Sequence, residues 1–191
     1  MQALTLITRL SVASALLLGS HVALAQQQLV PAQSEVQFTA RQMGVPLDGH
    51  FKKFSAQVAF DPAKLATSKI TFTVDTGSAT LGSRETDAEL PKPTWFNVPK
   101  FPQATFESTS IKALGGGKFE VAGKLTIKGN AQNVVAPVTL TQSGTVTTAA
   151  GSLPIKRLAF KIGENEWADT SMVADDVLVK FKLALTGVGK I

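Results

Sequence analysis

The stretch 118-KFEVAGKLTIKG-129 alternates from end to end. Phe119, Val121, Gly123, Leu125 and Ile127 share one parity, while Lys118, Glu120, Lys124, Thr126 and Lys128 share the other. A period of two is that of a β-strand with one dry face and one wet face, not of a helix. The same pattern spreads outward in both directions. It recurs in 34-SEVQFTARQ-42, 54-FSAQVAF-60, 69-KITFTVD-75, 105-TFESTSI-111, 134-VVAPVTL-140, 153-LPIKRLAFKI-162 and 177-VLVKFKLAL-185. That makes eight half-buried strands, separated by turn signals such as Asp61-Pro62, Gly115-Gly116-Gly117 and Gly129-Asn130.

One segment departs from the pattern. In 83-SRETDAEL-90, Ser83 suits an N-cap, Glu85 and Asp87 suit the positive end of a helix, and Pro91 stops it. The following stretch, 89-ELPKPTWFNVPKFPQATF-106, holds Pro91, Pro93, Pro99 and Pro102 among Trp95, Phe96, Phe101 and Phe106. Proline at that density excludes both a helix interior and a central strand. Large rings on a stiffened loop call for an apolar surface to cover.

No linker, repeat or composition shift divides the chain, so one antiparallel all-β domain is expected. A sandwich fits the alternation as well as a barrel does. The short turns and the single long insertion at 76–104 favour an up-and-down eight-stranded barrel, with a short helix and a Pro/aromatic-rich cover over one end.

Residues 1–25 read as a secretory signal: Arg9 precedes an apolar run from Leu10 to Leu18, and Ala23-Leu24-Ala25 marks cleavage after Ala25. The run is too short for a membrane span, which needs roughly 20 residues. The expected mature domain is 26–191, in the periplasm or released from the cell. The absence of cysteine excludes disulfides and thiol chemistry. The formal charge of +5 includes Arg9, and no arginine-rich stripe suggests nucleic-acid binding. His50 is the only histidine after the leader. It has no metal-ligand spacing and no nucleophile elbow to serve, so no catalytic or metal site is expected. The aromatic usage of eleven Phe, two Trp and no Tyr suits an interior without hydroxyls that need partners.

Five segments carry a family resemblance: 36-VQFTARQMGV-45, 49-GHFKKFSAQVAFDPAKLATSKITFTVD-75, 101-FPQATFESTSI-111, 123-GKLTIKGNAQNVVAPVTL-140 and 173-VADDVLVKFKLAL-185. Together they resemble the YceI-like family of exported bacterial proteins. The resemblance implies a lipocalin-like barrel that binds a polyisoprenoid, a polyprenyl phosphate or a quinone side chain, in an apolar cavity. The chain departs from the commoner family pattern at Gln42 and Glu89, where many members have histidine. The segment 86-TDAELPKPTWFNV-98, with Glu85 before it, resembles a branch associated with membrane b-type cytochromes.

On this reading the cavity wall comprises Phe38, Phe54, Val58, Phe72, Phe106, Phe119, Val121, Leu125, Val179 and Phe181, with Trp95, Phe96 and Phe101 closing the end. Small inward residues (Ala40, Ala56, Gly123, Ala136) leave volume unfilled. The opposing expectation is that the rings simply fill the barrel. Arg84 and Arg157 are the head-group candidates, although for Arg157 a structural ion pair, for example with Asp169, is the stronger expectation. A non-catalytic carrier of isoprenoids or similar amphiphiles is the first functional reading. An accessory protein docking a membrane b-type cytochrome, its lipid only structural, is the second. A homodimer is compatible with either.

Overall fold

Because each strand has one apolar face, the sheet must curl until those faces meet one another. The computed structural model describes residues 27–191, so the expected signal segment lies outside the described residues. The strands are β1 (Gln28–Leu29), β2 (Glu35–Gln42), β3 (Val45–Phe51), β4 (Phe54–Ala59), β5 (Lys69–Asp75) and β6 (Ala79–Thr80). After the helix α1 (Arg84–Glu89) come β7 (Gln103–Gly115), β8 (Lys118–Ile127), β9 (Asn130–Ser143), β10 (Val146–Lys156) and β11 (Asp176–Thr186).

All ladders are antiparallel, and neighbours follow the order β4-β5-β7-β8-β9-β10-β11-β2-β3-β6, with β1 added beside β11. The two ends of this path meet in one stretch of chain, because β3 runs into β4 through Lys52-Lys53. The N-terminal half of that bent strand pairs with β2 and its C-terminal half with β5. Counted around the ring, β3 and β4 are one strand, so eight strands surround the interior. The expected count of eight becomes eleven only through this bend and the two-residue strands β1 and β6. β3 itself was not foreseen, since 45-VPLDGHF-51 carries a proline and an aspartate that mask its alternation.

Two local features set which side chains point inward. β7 has a bulge between Ser108 and Ser110, where its register against β8 shifts. An extra residue reverses parity, so Phe106 and Ile111 share the inner face although their numbers differ by five. At the bulge Ser108 Oγ accepts the Ile70 N–H at 2.8 Å. The tight hairpins Met43-Gly44 and Lys128-Gly129 have both central residues at positive φ, the geometry that follows strand twist.

The strand expected through Ile162 stops at Lys156. Residues Arg157–Phe160 form a 3₁₀ turn closed by Lys161 in the left-handed region, and the chain then leaves the sheet until β11. The reason lies at Arg157. Its backbone N–H bonds to Asp175 O, and the next N–H, of Leu158, bonds to the Asp175 carboxylate. Leaving β10 creates a second loop over the same end of the barrel as 90–102.

Candidate functional site

Most of the buried apolar side chains fall into two separate clusters, one toward each end. Ala79, Leu90, Phe96, Ala104, Ile127, Ile155, Phe160 and Ile162 pack beneath the cover. Phe60, Ile111, Phe119, Val121, Leu185 and Val188 pack at the far end. Between and alongside them runs a cavity of about 390 Å³, within the usual size of a small-molecule site. Inward side chains at the waist, including Ala56, Phe72, Val179 and Phe181, remain only half-buried. A solidly packed interior would bury them fully, so their exposure is that of a wall facing space.

Glycine explains how aromatic strands can surround a void. Phe38 stands opposite Gly49 in the β2–β3 ladder, and a Cβ on Gly49 would lie 2.3 Å from the Phe38 ring. Gly123 likewise receives the ring of Phe106, with a Cβ-to-ring distance of 2.4 Å. Only a residue without Cβ lets a ring lie flat along the sheet. These rings thicken the wall instead of filling the lumen.

The cover comes from two loops. From 90–102, Leu90, Trp95 and Phe96 reach the cavity, and from 161–175 come Ile162, Trp167 and Val173. The loops meet where Trp95 and Trp167 pack against each other, ring centroids 5.7 Å apart and planes tilted by 44°. Phe96 continues inward through Phe51, at 6.1 Å, to Phe38, a further 5.3 Å on.

Of the thirteen wall and cover residues expected, eleven line the cavity: Phe38, Val58, Phe72, Trp95, Phe96, Phe106, Phe119, Val121, Leu125, Val179 and Phe181. Phe54 and Phe101 do not. Phe54 opens β4 immediately after the bend, and its ring lies 5.8 Å from that of Phe72, which is the one of the pair facing the lumen. Phe101 lies outside, over Gly129 of the β8–β9 turn, with Lys100 Nζ 5.4 Å from its ring centre. Sequence reasoning missed Phe51, Leu153, Ile155 and Trp167. Phe51 and Trp167 sit in segments whose alternation is broken, and only the fold brings them to the lumen.

Both arginine candidates are corrected. Arg84 is exposed on α1 and does not line the cavity, because residues two apart project from opposite sides of a helix and Thr86 and Glu89 take the inner side. Arg157 is 2 % exposed and reaches the lining, yet none of its N–H groups is free. Nε donates to Ala174 O, Nη1 to Ile162 O and Gly163 O, and Nη2 to Trp167 O and Val173 O, at 2.6–3.0 Å. Those bonds use all five guanidinium donors. Burial pulls the Arg157 pKa down while the nearby Asp175 charge opposes the shift. The side chain is thus the peg on which the second cover loop hangs. It makes no ion pair with Asp169, whose carboxylate instead accepts from Ser171 N and Oγ.

The remaining polar lining is sparse: Gln42, Thr86, Glu89 and Thr147. Thr147 is fully buried, and its hydroxyl accepts from Gln142 Nε2 at 3.2 Å. Thr86 and Glu89 are the exposed residues of the lining, and they mark where the cavity meets solvent. His50 is exposed on β3, and among the described residues no three His, Cys, Asp or Glu side chains cluster as metal ligands would.

Beyond this closed up-and-down barrel with an apolar hollow and a looped cover, the chain itself matches the YceI-like domain model across residues 27–185. The chain belongs to this family. Its structure is similar to BcnA of Burkholderia cenocepacia, with 49 % identity and a TM-score of 0.79 over 82 % of this chain and 98 % of that one. A polyisoprenoid-binding domain from Saccharophagus degradans, implicated in plant cell wall breakdown, shares the fold at a TM-score of 0.69 and 15 % identity, covering 84 % of this chain and 98 % of that one. Among curated relatives, a UPF0312 protein of Vibrio parahaemolyticus is 32 % identical over 134 residues, 70 % of this chain and 69 % of the relative. A UPF0312 protein of Vibrio cholerae is 31 % identical over 105 residues, so the chain spans just over half (56 %) of that relative's length.

Proposed function

We propose that this YceI-like protein is a non-catalytic carrier that encloses the apolar tail of a polyisoprenoid or similar amphiphile, acting in the periplasm or outside the cell after removal of its leader. The observation that carries the reading is the void between the two packed ends, walled by aliphatic groups and by rings laid flat on glycine. The polyisoprenoid-binding domain of Saccharophagus degradans, which has the same fold, lends support for the class of ligand.

Energetics favour a tail over a head group as the source of affinity. Each enclosed CH₂ contributes about 0.8 kcal/mol, and so a five-carbon isoprene unit contributes roughly 4 kcal/mol. A hydrogen bond to a charged head adds about 1.5–3 kcal/mol. Two enclosed units therefore outweigh a polar clamp, which agrees with a lining nearly free of polar atoms.

Native mass spectrometry of protein purified without detergent from a bacterial host tests the proposal. The expected result is an adduct with the mass of a prenyl lipid that is released by organic extraction. A clean apo mass, together with failure of added prenyl lipids to bind, would overturn it.

A further inference from the structure

Resting on the carrier reading above, the cavity's polar atoms also say which end group it accepts. An anionic head group held at the mouth needs a cation or several free N–H donors, since moving a phosphate out of water without them is costly. The lining's one cationic side chain, Arg157, has all five donors committed to main-chain carbonyls. The mouth itself presents acceptors. Thr86 Oγ1 donates its proton to Ser83 O at 3.0 Å, leaving only lone pairs for a ligand. Glu89 is one turn further along the same face of α1. Its Oε1 accepts Lys92 Nζ at 2.5 Å, and Oε2 makes no hydrogen bond among the described residues. Gln42, at the end of β2, lines the same cavity with an amide that both donates and accepts.

We infer that this mouth selects a neutral head group bearing a hydroxyl donor, such as a prenyl alcohol or a hydroquinone, and discriminates against the corresponding phosphate. The hydroxyl donates to Glu89 or Thr86. A phosphate brings only acceptors to the lone pairs of Thr86 and Glu89, and it faces a carboxylate. Lys92 does not reverse this balance, because it stands outside the lining and its charge is already matched by Glu89.

The test is a competition between geranylgeraniol and geranylgeranyl monophosphate, which share one tail, read by displacement of an apolar fluorescent probe from the full protein at neutral pH. The wild type is expected to bind the alcohol about tenfold more tightly than the phosphate, a modest value for a like charge partly masked by Lys92 at a partly wet mouth. Glu89→Lys should bring the ratio to one or invert it, Glu89→Gln should narrow it, and Lys92→Ala should widen it by unmasking the carboxylate. Equal or tighter binding of the phosphate by the wild type, or a ratio that Glu89→Lys leaves unmoved, overturns the head-group preference while the carrier reading stands. Binding of neither compound overturns the carrier reading and this preference together.

Discussion

Phe181 of β11 stands directly opposite Gly151 of β10, and its ring lies across that glycine, so that a Cβ there would come within 2.6 Å of the ring tip. The ring is held on the wall by what its neighbour lacks. Phe38 on Gly49 and Phe106 on Gly123 repeat the arrangement on other strands, and the hollow depends on all three.

Gly151→Ala should therefore push the Phe181 ring toward the lumen and strain the backbone, because the new Cβ would also crowd Pro137 O at 2.3 Å. Overpacking of this kind costs about 1–3 kcal/mol. Urea denaturation should show that loss, and saturation with an apolar probe should weaken in parallel. The double variant with Phe181→Leu should regain probe binding. A single variant with unaltered stability and unaltered binding would show that the ring has another place to rest.

Replacing Arg157 leaves five main-chain carbonyls without their donors. Arg157→Met should cost roughly 3–5 kcal/mol, the range for breaking a buried charged network, and Arg157→Lys should recover part of it through three donors. Hydrogen exchange should locate the loss in residues 161–174, with the ladders of β7, β8 and β9 still protected. Uniform loss of protection over the whole chain would mean that the second cover loop is not a separate unit.

The chain's two tryptophans both line the cavity, and it contains no tyrosine. Intrinsic emission therefore reports on the cover alone. Titration with a quinone-bearing isoprenoid should quench most of it. Trp95→Ala, which removes the contact with Trp167, should speed ligand release about tenfold, equivalent to about 1.4 kcal/mol. Stopped-flow dilution of probe-loaded protein measures this, and an unchanged off-rate would exclude the Trp pair as the closure.

Asp87 ties α1 to the end of β6. Its carboxylate accepts from Thr80 Oγ1 at 2.5 Å and from Leu81 N at 2.6 Å, and these bonds hold its pKa below the usual carboxylate value. A lowered folded pKa means that the contribution is fully present above the unfolded value of about 3.9 and fades as pH falls through the folded one. Between neutral pH and about pH 5 the anchor should be constant. In more acidic solution α1 should loosen, seen as faster exchange at Leu81 N–H. Asp87→Asn should lower stability at neutral pH and remove this part of the acid dependence. An Asp87→Asn variant with the wild-type acid profile would contradict the assignment.

Alternation and turn residues were enough to establish an antiparallel all-β domain and to locate α1 and the proline-stiffened cover, while the short turns, the single long insertion and the family resemblance favoured a barrel and placed eleven wall and cover residues. The all-β pattern, α1 and the cover depend on neighbours in the chain, through the strand's period of two and proline's missing donor, so local order suffices. Tertiary structure decided the rest. The bend at Lys52-Lys53 closes the ring because one strand changes partners there, and Phe54 loses its place on the wall at that bend. The bulge in β7 brings Phe106 and Ile111 to one face despite their opposite parity. Arg157 looked like a ligand contact by position, but its five acceptors come from residues 162–174, which only folding gathers around it. The void itself belongs to this second class, since a ring can fill a barrel or line it, and which it does depends on the glycine that stands across the ladder.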